Sequence, residues 1–320
     1  MVGESPRFRN CTDEHQPIVN VRRRRGVAGS HMTAAGTAGY GTELADYGDV
    51  AQLGALVTKS LAPFSWAGNA APRVAPAGDA MINSVGLAGP GVSAWRDREW
   101  PSLRDSGARV VASVWGRTAS EFGDAVNELA GLDLAAIEIN ASCPNLEGRR
   151  GIFAHSADLV RELLEATGTA TVPRWIKLSP NTPDLVDIAT TAVDAGAQAL
   201  VIANTLLGMD IDIETGRPTV GNGGGGVSGQ PIFPVALRCV YEVRAALPHT
   251  PLVGVGGITT ARDVIAMLMA GASAVEVGTV GFADPRIYWR LARQVNRWMA
   301  RHHVATIADV VSLAHRGGRP

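Results

Sequence analysis

Cysteine is scarce in this chain. Only Cys11, Cys143 and Cys239 occur among 320 residues. The odd count and the lack of any CxxC pair argue against a disulfide framework, and no Cys/His cluster forms at metal-ligand spacing. Three scattered thiols are also too few to hold an iron–sulfur cluster. Charge of either sign is nearly balanced at a net −1, so no global field favours nucleic acid or an anionic membrane. No apolar run reaches the roughly 18 residues of a membrane span. The N-terminus is polar and lacks an apolar core, so no secretory signal is expected. What remains is a soluble, cytoplasmic, enzyme-sized chain with reduced thiols. Its 46% apolar content is ample for one large core.

Residues 1–30 stand apart. They carry "VRRRRGVAG" and little apolar periodicity, and read as a poorly ordered N-terminal arm with solvated arginines. From residue 31 to 320 a single rhythm holds. Apolar runs occur at 31–39, 55–61, 109–116, 134–142, 174–180, 199–205, 252–258 and 274–280. Nearly continuous apolar runs fit strands covered on both faces, as in a parallel sheet. Helical segments lie between them. "NTPDLVDIATTAVDAGA" offers Thr182 as N-cap, Pro183 in the first turn, apolar Leu185, Ile188, Ala189 and Ala192, and Gly196 as a stop. "TTARDVIAMLMAGA" repeats that design and ends at Gly271. Eight strands with intervening helices predict an α/β fold of the (β/α)8 TIM-barrel type. A doubly wound open sheet would want a glycine fingerprint after its first strand, and "GTAGYG" fits that poorly.

In such a barrel the C-terminal strand ends form the active-site face. Here those ends are polar: Lys59, Asn140, Lys177, and Asn204 with Thr205. A lysine or asparagine in an apolar strand is costly unless paired, so several at corresponding ends point to a ligand site. Gly256, Gly257, Gly278 and Thr279 follow the last two strands, where backbone N–H groups bind phosphate. Lys177 can hold a phosphate, form a Schiff base or stabilise a delocalised anion. Asn83 in "MINSVGL" adds amide groups that read a flat heterocycle. "GNGGGGVSG" (221–229) reads as a flexible loop through which backbone approaches a ligand. Cys143, flanked by Ser142 and Pro144 beyond a strand end, reads as a general base or nucleophile.

The stretches "TAAGTAGYG", "VTKS", "GNAAPRV", "MINSVGL", "EINASCPN", "IKLSPN", "IANTLLGM", "GGVSG", "GVGGI" and "VGT" run in order over nearly the whole chain. Together they resemble the dihydroorotate dehydrogenase family, class 1, the cysteine-dependent soluble branch, and within it the NAD-linked 1B type. The resemblance implies a TIM barrel holding FMN and acting in pyrimidine (UMP) biosynthesis. Gly256, Gly257, Gly278 and Thr279 would then bind the FMN phosphate. Ala35, Gly36, Lys59, Ser60, Asn140, Lys177 and Gly229 would line the flavin. Lys59, Asn83, Gly86, Leu87, Asn140, Asn145, Asn204 and Thr205 would hold dihydroorotate or orotate. Cys143 would remove the C5 proton while hydride passes from C6 to the flavin, and Lys177 would stabilise the reduced flavin's charge. A homodimer is expected, together with an FAD and iron–sulfur electron-transfer subunit. Two departures from the family pattern stand out: "RRRRGVAGSHM" in place of an apolar hairpin, and Phe233 where a lysine is common. Two rivals remain. Another FMN-dependent dihydropyrimidine dehydrogenase would place histidine where Asn145 stands. A flavin-free phosphate-binding barrel enzyme would use Lys177 as its amine.

Overall fold

The structure, a computed structural model, describes residues 31–142 and 152–318. The expected N-terminal arm, Cys143 and Asn145 lie outside the described residues.

Eight parallel strands close into a barrel. In chain order they are β1 (His31–Thr33), β2 (Leu56–Val57), β3 (Val110–Val114), β4 (Ala136–Asn140), β5 (Arg174–Lys177), β6 (Ala199–Ile202), β7 (Leu252–Val255) and β8 (Ala274–Val277). Each pairs in parallel with its sequence neighbour from β2 to β8, and β8 pairs with β1. The seam between β1 and β2 closes through a parallel bridge of Met32 with Ala55. There the Thr33 hydroxyl donates to the Val57 carbonyl at 3.2 Å and accepts from the Val57 amide at 2.8 Å. All eight apolar runs of the sequence thus hold a barrel strand, each shorter than its run.

The helices wrap this barrel with the expected punctuation, with two changes. β1 and β2 are joined by two short 3-10 turns, Glu43–Asp46 and Val50–Gln52, where an α-helix was expected. The helix after β5 starts at Leu185 and not at Thr182. The Thr182 hydroxyl accepts from the Asp184 amide at 3.1 Å, so it caps the turn before the helix. Leu185, Ile188, Ala189 and Ala192 are buried as the pattern requires. The helix Ala261–Ala270 carries a reciprocal capping box between Thr260 and Asp263 and stops at Gly271, whose φ of +120° suits glycine.

The barrel interior is a packed plug. Trp175 sits in an inner cluster with Ala55, Ala136, Ala199 and Ala274, plus Val57, Val111, Val201 and Val253. One large indole needs small neighbours, and the alanines on three other strands, with Ala55 just before β2, provide the room. Trp175→Ala should open a void that these short side chains cannot fill. The expected loss is about 3–5 kcal/mol, read by chemical denaturation. A loss under about 1 kcal/mol would show that the indole is not the plug.

Above the barrel lies a second sheet that the sequence reading did not contain. Its order is Val74–Ala77, Ala80–Asn83, Gly225–Ser228, Leu206–Gly208, all antiparallel. Gly78, at φ +59°, makes the tight turn of its hairpin. The run 221–229, expected to be a loop, contributes an inner strand here. Its glycines have a packing reason: a Cβ on Gly225 would fall 2.2 Å from the Asn83 carbonyl oxygen, and one on Gly226 would fall 2.2 Å from Thr205 Oγ1. Among the described residues no helix is long and apolar enough to cross a membrane.

Candidate functional site

A cavity of about 450 Å³ opens between the C-terminal strand ends and this upper sheet. Every described residue singled out in the sequence lines it: Ala35, Gly36, Lys59, Ser60, Asn83, Gly86, Leu87, Asn140, Lys177, Asn204, Thr205, Gly229, Gly256, Gly257, Gly278 and Thr279. They come from all parts of the chain and meet only because the barrel closes.

One end of the cavity suits a phosphate. Gly256 and Gly257 adopt φ of +121° and +72°, a region that penalises a Cβ. A Cβ on Gly257 would also lie 2.5 Å from the Phe233 nitrogen. Only glycine therefore fits both positions without strain or clash. Gly278 and Thr279 complete the cradle beside them. The walls between carry apolar Val74, Met81, Ile232, Val255 and Ile258. A flat, largely apolar heterocycle with one phosphate fits this combination of slot and cradle.

Asn204, Asn140 and Ser60 of the lining belong to one hydrogen-bonded polar chain. Asn204 Nδ2 donates to Ser142 Oγ at 2.9 Å, and Ser142 Oγ donates to Asn140 Oδ1 at 3.0 Å. Asn140 Nδ2 donates to Ser60 Oγ at 3.0 Å, and Ser60 Oγ lies 2.9 Å from Ser113 Oγ. Ser113 Oγ in turn donates to Glu138 Oε1 at 2.9 Å. Side chains fixed by such a chain present their remaining polar groups in one orientation.

Gly86 and Leu87 sit on a loop held from three sides. Trp66 Nε1 donates to the Gly86 carbonyl at 3.0 Å. Tyr40 Oη at 2.8 Å and Lys59 Nζ at 2.5 Å both donate to the Ala88 carbonyl. Leu87 has φ +59°, an unfavourable value for a branched side chain, and these clamps hold it there. Lys59 also lies over the Tyr40 ring, 5.3 Å from its centroid. Burial, and then repulsion from Arg73, lower its pKa from the ordinary lysine value.

Lys177 closes the floor of the cavity. Its ammonium is 3.0 Å from Glu276 Oε2 and 3.7 Å from Glu138 Oε2, with all three side chains buried. Burial opposes the lysine charge, but the two carboxyls outweigh it and raise its pKa. Burial pushes the Glu276 carboxyl up to about 8, against the pull of Lys177. Glu138 and Glu276 escaped the sequence reading. Their signal was present: a glutamate in the middle of "AIEIN" and of "AVEVG", the same anomaly that had marked Lys177.

Comparison with known proteins follows the same lines. The family model of dihydroorotate dehydrogenase matches residues 26–299. The "Dihydroorotate dehydrogenase B (NAD(+)), catalytic subunit" of Geobacter sp. (strain M21) is 40% identical over 296 residues, covering 92% of this chain and 95% of that protein. A protein with the same description from Alkaliphilus oremlandii (strain OhILAs) is 40% identical over 281 residues, covering 88% and 93%. Among solved structures, a dihydroorotate dehydrogenase of Eimeria tenella in complex with ferulenol superposes with a TM-score of 0.75 at 20% identity, over 97% of this chain and 92% of that one. That last likeness concerns the fold.

Proposed function

Since the chain belongs to the dihydroorotate dehydrogenase family, we propose that its cavity binds FMN and that the enzyme oxidises (S)-dihydroorotate to orotate in pyrimidine biosynthesis. The observation that carries this reading is the pairing, in one cavity, of a glycine phosphate cradle with the amides of Asn83, Asn140 and Asn204. Gly256, Gly257, Gly278 and Thr279 take the phosphate, and Ala35, Gly36, Ser60 and Gly229 border the ring system. Bound FMN supplies a two-electron acceptor for the hydride that leaves C6.

The chain's own groups do the rest. Lys59, Asn83, Asn140, Asn145, Asn204 and Thr205 orient the substrate with the Gly86–Leu87 loop. An ammonium at Lys59 also suits the carboxylate of dihydroorotate. Cys143 receives the C5 proton. Lys177 presents a fixed positive charge to the flavin pocket, where negative charge grows on reduction. The 1B relatives are catalytic subunits by description. With three cysteines of its own, this chain would draw on a separate FAD and iron–sulfur subunit to pass electrons to NAD. A homodimeric cytoplasmic protein, with residues 31–320 as its FMN-binding barrel, completes the reading.

The test is an absorption spectrum. The purified protein should be yellow, should release FMN on denaturation, and should bleach when dihydroorotate is added without oxygen. A colourless protein that FMN cannot reconstitute would refute the reading. Bleaching by dihydrouracil but not by dihydroorotate would move the substrate to another reduced pyrimidine.

A further inference from the structure

The barrel interior holds a charge imbalance that the reaction itself does not call for. Glu138, Lys177 and Glu276 are buried together, two carboxyls to one ammonium. Lys177 Nζ donates to Glu276 Oε2, and Ser113 donates to Glu138 Oε1. Among the described residues Glu138 Oε2 and Glu276 Oε1 accept no hydrogen bond. Two ionised carboxylates around one ammonium, shut off from water, would leave a net negative charge in a medium that solvates it poorly.

The elements packed on β8 offer little to offset that charge. β7 carries no titratable side chain. β1 carries His31, paired in register with Val275. On the helix Ala261–Ala270, Asp263 is committed to its own N-terminal cap. Arg174, at the far end of β5 from Lys177, points the other way and donates to the carbonyls of Leu164 and Gly196. Lys59, higher in the cavity, is bonded to the Ala88 carbonyl.

We propose that Glu276 is a positioning residue that carries the proton this trio requires, so that negative charge arriving on the pocket side of Lys177 is matched by a proton taken up from solvent at Glu276. The inference rests on the flavin reading, because the arriving charge is that of the reduced cofactor. Lys177 stands between two anionic demands, the carboxyl pair behind it and the pocket in front. An anion in the pocket claims part of its field, and the carboxyl pair then binds its proton more tightly. The upward shift of Glu276 to about 8 agrees with this placement. Uptake of the proton on reduction is therefore expected where Glu276 is ionised in the oxidised state, on the alkaline side of that shift.

The test compares wild type with Glu276→Gln. Each is stripped of FMN, and dissociation constants for oxidised and for reduced FMN are measured without oxygen from pH 7.5 to 9. In wild type the ratio of reduced to oxidised constants should climb above pH 8, approaching about tenfold per pH unit for one linked proton. In Glu276→Gln the climb should be absent. Lys59 titrates in both proteins, so their difference isolates Glu276. A purely structural glutamate would lower the melting temperature of the variant and leave the pH slope intact, and that result overturns the proposal. Should Glu276→Gln fail to fold, Glu138→Gln carries the same expectation, since one carboxylate then balances one ammonium. A protein that binds no FMN at any pH refutes the flavin reading and this proposal with it. FMN binding with equal slopes in wild type and variant refutes this proposal alone.

Discussion

Replacing Cys143 by alanine is expected to slow the anaerobic bleaching of the flavin by dihydroorotate by about 10²- to 10⁴-fold, the usual worth of a positioned base. FMN content and orotate affinity should survive, because the substitution removes the base and leaves the other residues of the flavin pocket unchanged. An ordinary thiol has a pKa of about 8.5, so wild-type bleaching should quicken as pH rises toward that value. The alanine variant should lose this acceleration. Cys143→Ser should fall near alanine at neutral pH, because a hydroxyl is a far weaker acid than a thiol and needs a neighbouring base to activate it. Stopped-flow bleaching of the three proteins across pH decides the matter. If alanine bleaches at the wild-type rate, the base lies elsewhere.

The second large effect concerns stability. Lys177→Met removes the ammonium and leaves Glu138 and Glu276 buried against each other. Breaking a buried ion pair from one side costs about 3–5 kcal/mol, and the cost here should depend on pH. With Lys177 present, burial already pushes Glu276 up to about 8. Without it, Glu276 loses the cation that opposes this shift and holds its proton more tightly still. A carboxyl whose folded pKa exceeds its unfolded one gives stability that is complete below the unfolded value and disappears as pH rises through the folded value. The variant should therefore approach wild type near pH 5 and fall furthest behind at pH 8 and above. Melting curves at those two pH values test this, and an equal deficit at both would show that charge is not the cause.

How much of this was legible in the residues varies with the kind of signal. The eight barrel strands were, because a strand buried on both faces leaves an apolar run that neighbouring sequence cannot disguise. Part of the cavity lining was also visible, as Lys59, Asn140, Lys177 and Asn204 at the ends of such runs, whereas Ala35, Gly36, Ser60, Gly86, Leu87 and Gly229 came only from the family resemblance. Glu138 and Glu276 carried a local signal, a glutamate inside an apolar strand, but not their role, which needs the partner brought beside them. Glu276 is 99 positions from Lys177 and meets it only across the closed barrel. The upper sheet was illegible for a different reason. Its outer strand Val74–Ala77 contains Pro76, and its inner strand Gly225–Ser228 is half glycine. Both compositions argue against strand when read locally. Tertiary demands override them: proline is tolerated at the edge, and glycine is needed where Asn83 and Thr205 press on the strand.

The Trp175 plug has a kinetic consequence. Among the described residues the barrel is filled at its floor, so what enters the cavity at the mouth leaves by the mouth. A freely diffusing oxidant then has to wait for the first product to depart. It should show parallel lines in double-reciprocal plots, with orotate competing against it. Electrons drawn off through the barrel wall to a docked protein need no vacancy at that mouth, so orotate should not compete with an acceptor served in this way. The same indole and four alanines that stiffen the core would thereby divide the two kinds of acceptor by their inhibition pattern.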